Sequence, residues 1–326
     1  MPPDARFPNA LGRVGWPLAG LVALAAVAVA LFVIGATRRA APPSRMAPVP
    51  ARTSLSAATT LRPAHVAVIV MENQGYGSVI GNRAAPFINR LARRYALARA
   101  AYAVAHPSLP NYLALTGGST FGVDDDCGGC MVSADNLVTQ LQAAGLSWKA
   151  YMENLPRPCF TGAAARDYAN KHDPFLHYTQ IARSPALCSR VVPLMQLARD
   201  ERSGRLPRFV WITPDLCHDM HDCSVSTGDR FLARLVPPLL RALGRRGVLF
   251  LTWDEGDDDR GCCRAAHGGH VATIVAGPGA RPGARLDTPT DHYSVLATIE
   301  AMLGLPRLRW AACACTPSLA PLLIGS

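Results

Sequence analysis

Lysine is almost missing from this 326-residue chain: Lys149 and Lys171 are the only two, so a net charge of +10 rests on arginine. Charged residues make up 17%, few for a soluble protein of this length, against 49% apolar residues. No dense basic run carries interleaved aromatics, so no nucleic-acid partner is expected. The arginine excess reads either as genomic codon bias over a solvated surface or as attraction to anionic substrates and lipid head groups. No internal repeat is evident, which argues against a solenoid or propeller. No cysteine precedes Cys127, and no second C-x-x-C accompanies Cys127-Gly-Gly-Cys130, so the spacing of a zinc knuckle is only half present.

One long apolar run accounts for part of the low charge. Trp16 to Ala36 has no charged residue, and at about 1.5 Å per residue it matches roughly the 30 Å hydrocarbon core of a bilayer. No clear A-x-A site follows, which favours a retained signal anchor over a cleaved signal. Arginines flank the run on both sides, Arg6 and Arg13 before it and Arg38, Arg39 and Arg45 after it, so charge does not set its orientation. Cysteine does. All ten, Cys127, Cys130, Cys159, Cys188, Cys217, Cys223, Cys262, Cys263, Cys313 and Cys315, lie after the run. An even, high count on one side of a membrane segment points to disulfides in an oxidising compartment, with Cys217–Cys223 the first local pair to test. The expected organisation is a short cytoplasmic N-terminus (1–15), a transmembrane signal anchor (16–36), a Pro/Ala-rich stalk (37–63) and an extracytoplasmic catalytic domain (64–326), secreted instead if the signal is cleaved.

Within 64–326 short apolar runs alternate with amphipathic stretches. Strands are predicted at His65–Met71, Ala98–Val104, Ser147–Met152, Arg208–Thr213, Val248–Trp253 and Val271–Ala276, and helices over Pro86–Ala98, Asn136–Ala144, Asp229–Leu243 and His292–Leu303. Continuous apolar strands joined by helices imply an α/β domain, a largely parallel sheet with helices on both faces.

In such sheets ligands bind beyond the carboxyl ends of the strands. Polar, chemically capable residues gather just past those ends. Glu72-Asn73 comes after the first strand, and His106-Pro-Ser108-Leu-Pro-Asn111-Tyr112 after the second. His218-Asp219-Met-His221-Asp222 comes after FVWIT, Asp254-Glu255 after VLFLTW, and His267-Gly-Gly-His270 lies beside VATIVAGPG. Clustered carboxylates repel one another unless a divalent cation binds them, and a cation lowers the pKa of a serine hydroxyl. Imidazoles can hold phosphate oxygens, bind a second metal or protonate a leaving alcohol. Glu72 and Ser108 each have a plainer reading as helix-capping or helix-starting residues. Asp257 to Asp259 read as a solvated loop, and His65, His172 and His177 as structural.

The HPSLPNY string resembles the nucleophile segment of the alkaline phosphatase superfamily. Together with Val70-Met-Glu72-Asn73, His218-Asp219-Met-His221-Asp222 and Thr252-Trp-Asp254-Glu255, it is similar to the bacterial phosphoesterase family of phospholipase C-type enzymes and acid phosphatases. The resemblance runs from about His65 to Leu305 with its motifs in order. It implies Ser108 as a nucleophile that also touches the metal, Glu72, Asn73, Asp254 and Glu255 as metal ligands, and Asp219, His218, His106 and Asn111 around phosphate or a second cation. His221 and His270 are the expected catalytic imidazoles, with His292 an alternative to His270. The Asp-Glu pair replaces the superfamily's usual Asp-His, which makes a two-zinc site doubtful and leaves Ca, Mn, Zn and Fe undistinguished. The implied activity is metal-dependent hydrolysis of phosphate monoesters, diesters or phospholipids through a phosphoserine. A sulfatase-like hydrolase lacks support because Ser108-Leu-Pro-Asn-Tyr has no C/S-x-P-x-R string; a non-catalytic envelope-binding protein of the same fold is the other alternative.

Overall fold

Six consecutive apolar residues, Val66–Met71 (β1), are fully buried, so this strand must be covered on both faces and paired at both edges. In the computed structural model, which describes residues 63–325, it is central. The other principal strands are Ala96–Tyr102 (β2), Trp148–Met152 (β3), Val191–Pro193 (β4), Phe209–Thr213 (β5), Val248–Trp253 (β6) and His270–Ala276 (β7). Val66 pairs in parallel with Phe209 of β5 on one side and Val248 of β6 on the other. The sheet order is β2-β7-β6-β1-β5-β3-β4, with two short strands, Arg285–Leu286 and Thr290–Asp291, edging β2. Only β7 runs antiparallel to its neighbours β6 and β2, so β1, β2, β3, β5 and β6 all point the same way.

Helices on both faces complete the α/β sandwich. The longer ones are Pro86–Arg94 (α1), Ser108–Gly117 (α2), Leu137–Ala143 (α3), Val225–Ala242 (α4) and His292–Leu303 (α5). α1 packs against α4, and α2 against α5. One continuous hydrophobic core runs from Val66 to Leu323, all of it inside a compact unit, Leu55–Ser326. The expected anchor at 16–36 lies outside the described residues, as do the N-terminal segment and nearly all of the expected stalk. Among the described residues no helix is long and apolar enough to cross a membrane.

Sequence-based assignments are corrected at several points, among them β2, which spans Ala96–Tyr102 and not Ala98–Val104. α1 ends at Arg94, not Ala98, because Ala96 already pairs with Val275 in the sheet. α4 starts at Val225, four residues before Asp229, with Ser224 as N-cap. The short edge strand β4 lacks the long apolar run by which the others are recognised.

The ten cysteines form five disulfides: Cys127–Cys130, Cys159–Cys188, Cys217–Cys223, Cys262–Cys263 and Cys313–Cys315. Cys217–Cys223 is the local pair expected, and Cys127 with Cys130 is a disulfide instead of half a zinc site.

Asp229 joins the two helices of one face. Its buried carboxylate accepts hydrogen bonds from the backbone N–H of Phe87 (3.1 Å) and Ile88 (2.8 Å), in the first turn of α1 where no intrahelical acceptor exists. Asp229→Ala strands both donors and should cost about 1–3 kcal/mol of stability. Urea denaturation tests this; an unchanged midpoint would dismiss the tie.

Candidate active site

The carboxyl ends of β1 and β6 lie side by side, and each strand runs directly into an acid. Met71 pairs with Trp253, and the next residues are Glu72-Asn73 and Asp254-Glu255. Backbone bonds lock this edge: Asp254 N–H donates to Met71 C=O (2.9 Å), and Glu72 N–H to Asp219 C=O (2.9 Å). Asn73 has a φ of 53°, in the left-handed region that asparagine tolerates better than most residues. Its N–H donates to Asp254 Oδ1 (3.0 Å).

Ser108 opens α2 and faces these acids. Its hydroxyl donates to Glu72 Oε2 at 3.0 Å, and Tyr112, one turn on, donates to Glu72 Oε1. Asn111 makes this presentation possible. Its side chain accepts from Val104 N–H (2.8 Å) and Ala105 N–H (2.9 Å), and donates to Ala105 C=O (2.7 Å) and Pro107 C=O (3.1 Å). That amide is therefore consumed in shaping the turn before Ser108, and the expected role at phosphate is corrected to positioning. Gly268 supports the same turn from below, since a Cβ there would lie 2.3 Å from Ala105 O. The close approach at Gly268 is between backbones.

Asp219 and His172 close the cluster. His172 Nδ1 is 3.4 Å from Asp219 Oδ2, and its Nε2 is 3.2 Å from Glu72 Oε2 but misaligned for a hydrogen bond. Glu72, Ser108, Asp219 and Asp254 are all at most 1% exposed, and His172 is 2% exposed. Burial and the charges of Asp254 and Asp219 push the Glu72 carboxyl well above its usual range. Burial also raises Asp219 to about 9 and, together with the Glu255 charge, Asp254 to about 7. Burial and the nearby Lys171 hold the His172 ring far below its ordinary pKa. The ring is thus neutral, and its two approaches to carboxylates are not ion pairs.

The residues fit a divalent cation. Asn73 Oδ1, His172 Nε2, Asp219 Oδ2 and Asp254 Oδ2 are buried without a hydrogen-bond partner among the described residues, an arrangement costly for polar atoms unless something else satisfies them. Glu72, His172 and Asp219 also bring three ligand atoms within 4.8 Å of one another. Hard oxygens with one neutral imidazole suit several divalent ions.

A cationic side flanks the start of the helix that carries Ser108. Lys171 donates to Asp126 Oδ2 (2.8 Å), whose Oδ1 accepts from Leu109 N–H (2.9 Å) in the first turn of α2. Lys171 Nζ lies 3.4 Å from His221 Nε2, and His221 Nδ1 is 2.6 Å from Asp222 Oδ1. The Cys217–Cys223 disulfide closes the loop that carries both Asp219 and His221.

The remaining expected residues are placed otherwise. Glu255 pairs with His106, at the rim of the cluster. His218 sits 3.0 Å from Glu153 and 3.4 Å from Asp215, its ring stacked on Phe231, in a group separate from Asp219. His270 stacks on Tyr76 at 4.5 Å with Nε2 2.8 Å from Arg99 C=O. Its ring is held there by the edge of β2, so the preference for His270 as a catalytic imidazole is corrected. His292 is buried, with Nε2 3.0 Å from Trp253 C=O, immediately before Asp254, and Nδ1 without a partner among the described residues. Sequence reasoning missed His172, Lys171, Tyr112 and Asp126. A lone histidine after a loop carries no spacing signal; Lys171 had only its rarity.

Fold and site together describe an α/β enzyme with a serine hydroxyl set among buried carboxylates at the carboxyl ends of its strands. The chain belongs to the Phosphoesterase family, whose model matches residues 81–306. It is 35% identical over 286 residues to a phosphatidylinositol-3-phosphatase of Mycobacterium tuberculosis, covering 86% of this chain and 90% of that one. A probable acid phosphatase of Kluyveromyces lactis is 30% identical over 256 residues, 74% of this chain but only 58% of that protein. Among solved structures, the phosphonate monoester hydrolase of Agrobacterium radiobacter superposes with a TM-score of 0.54 at 14% identity, over 81% of this chain and 78% of that one. Murine ectonucleotide pyrophosphatase/phosphodiesterase 5 gives 0.51 at 12%, over 79% and 99%. At such identities these structures speak to the fold alone. The chain is a hydrolase acting on phosphoric esters.

The crowded acids set a pH dependence of stability in metal-free protein. Each raised carboxyl binds its proton more tightly folded than unfolded, so stability falls as pH climbs from about 4 through the folded values. For Asp254 and Asp219 these are about 7 and about 9. After EDTA treatment, Tm should decline over that window, and added Mn²⁺ or Ca²⁺ should restore it at the alkaline end. A flat profile without metal would contradict the crowding.

Proposed function

We propose that this chain is an extracytoplasmic, metal-dependent phosphatase that hydrolyses phosphate monoesters through a phosphoserine at Ser108. The observation that carries this is the buried Ser108 hydroxyl, 3.0 Å from Glu72 Oε2, beside carboxylates with orphaned oxygens, with Lys171 tied through Asp126 to the first turn of the same helix. The names of the relatives, a phosphatidylinositol-3-phosphatase and acid phosphatases, share one chemistry, a terminal phosphate. Five disulfides support an oxidising compartment, and the apolar run at 16–36 supports attachment to a membrane.

Glu72, Asn73, Asp219, Asp254 and the neutral His172 would hold the cation, which supplies positive charge against the anionic transition state and lowers the pKa of oxygen donors. The rest falls to the protein. Glu72, fixed through its second oxygen by Tyr112, orients the Ser108 hydroxyl and accepts its proton as Oγ attacks phosphorus. Lys171, whose burial favours the neutral form, is kept charged by Asp126 together with the charges of Glu72 and Asp254, and offsets the phosphate's negative charge. The bond from phosphorus to the alcohol breaks as the Ser108–phosphorus bond forms. His221, steadied by Asp222 and open to solvent on one side, protonates the departing alcohol. Water, passing a proton to His221, then attacks phosphorus from the vacated direction; the Ser108–phosphorus bond breaks, Glu72 returns its proton to Ser108 Oγ, and phosphate leaves.

The Leu55–Ser326 unit, made under oxidising conditions, should hydrolyse p-nitrophenyl phosphate well and bis-p-nitrophenyl phosphate poorly, with loss in EDTA. Ser108→Ala should lower kcat at least about 1,000-fold while retaining stoichiometric metal, whereas Asp254→Asn should weaken the metal itself. Preference for the diester would reassign the substrate class. Wild-type activity in Ser108→Ala would remove this serine from the mechanism. Stoichiometric metal with no hydrolysis of either ester would favour a binding protein.

Lys171→Met should raise KM and lower kcat/KM by about 10- to 100-fold for the dianionic monoester. The loss should be smaller for the diester, which carries one charge fewer. Equal losses on both would assign Lys171 to holding Asp126 and α2.

A further inference from the structure

At the sheet edge opposite the site, α1 and the second half of α4 leave a groove of about 980 Å³. Its rim carries five arginines, Arg90, Arg93, Arg94, Arg241 and Arg245, all exposed, and no aspartate or glutamate lines it. Among the described residues none of the five is in a salt bridge. Its walls are apolar: Phe87, Leu91, Val236, Leu240 and Pro278. Arg90 lies over the Phe87 ring and Arg94 over Tyr95, so both guanidinium groups stand at the mouth beside apolar surface.

The topology fixes where this groove faces. α1 ends at Arg94, just before β2 starts at Ala96, and α4 ends at Ala242, just before β6 starts at Val248. Those strands run parallel to β1, whose far end carries Glu72. The arginine-rimmed mouth and the catalytic cluster therefore lie at opposite ends of the strands, about 20 Å apart for a six-residue strand. Val248 N–H donates to His65 C=O (3.2 Å), so the described chain also enters at the arginine edge. The residues before it include the uncharged apolar run at 16–36.

We propose that this groove is a docking surface for an anionic phospholipid bilayer, separate from the catalytic site. Five arginines, of which Arg241 alone has a nearby acid in Glu201, complement phosphate head groups, and the apolar walls accept the acyl region just beneath them. Arginine suits this role, since its planar group pairs two phosphate oxygens and is weakly hydrated. Docked this way, the protein turns Ser108 and Glu72 away from the bilayer it sits on. Substrate then reaches the site from the solvent side. Docking through the groove is independent of which ester is cleaved.

The hydrophobic core lies wholly within the Leu55–Ser326 unit, so that unit can be tested without the apolar run. It should co-sediment with vesicles of phosphatidylcholine mixed with phosphatidylglycerol, but not with phosphatidylcholine alone, and salt should weaken the binding. The triple variant Arg90→Ala/Arg94→Ala/Arg245→Ala should lose roughly 100-fold in partitioning while hydrolysing p-nitrophenyl phosphate at the wild-type rate, which also certifies its fold. Equal vesicle binding by wild type and variant overturns the proposal, as does no binding by the wild type. Self-association abolished in the variant, with no vesicle binding, would assign the groove to a second copy of the chain.

Discussion

Crowding of buried negative charge is the constraint on which the rest of this molecule depends. Glu72, Asp219 and Asp254 are carried by separate parts of the chain into one buried region, where burial and the neighbouring acids oppose the ionisation of Glu72 and Asp219. Such an arrangement is unfavourable for folding, so everything around it must hold it in place. The parallel pairing of β1 with β6 places Glu72 and Asp254 side by side whatever their mutual repulsion. The disulfide between Cys217 and Cys223 restrains the loop that brings Asp219. Tyr112 and Ser108 satisfy Glu72 from α2. Strain tolerated at one place and supported on every side is the usual mark of a functional centre, because only function retains it.

Much of this was legible in the sequence, for a physical reason. Fully buried strands must be apolar throughout, so the residue that ends each run stands out. Glu72 after HVAVIVM and Asp254 after VLFLTW are the first polar positions where the sheet stops, and parallel strands bring such positions to one edge. Ser108 was legible through the HPSLPNY string. Interactions across space were not. His172 meets Glu72 and Asp219 only because a short helical turn at Asn170–His172 packs against α2, and nothing in its neighbours in sequence encodes that. Lys171 next to it was noted only for being one of two lysines.

The errors have the same origin. His270 was expected as a catalytic imidazole, yet the segment before it packs backbone against backbone, Gly268 against Ala105 O. His270 therefore braces the edge of β2 against Arg99 and Tyr76. Asn111 was rightly singled out within the nucleophile string, yet its four hydrogen bonds go to the turn that presents Ser108. In both cases residue type and spacing identified an important position, and only the fold revealed whether it touches chemistry or holds what does.

The arginine excess matters through its distribution as much as its size. At the carboxyl ends of the strands the charges are mostly acidic, with Lys171, held by Asp126 and close to His221, as the nearby cation. At the amino ends five arginines rim an apolar groove with no acid among its lining residues. Acidic and basic groups thus gather at opposite ends of the strands, separated by the length of a buried strand. Codon bias alone would spread arginine over the surface; it would not leave the groove without a single carboxylate. The two ends can then be tuned independently, since neither shares a side chain with the other.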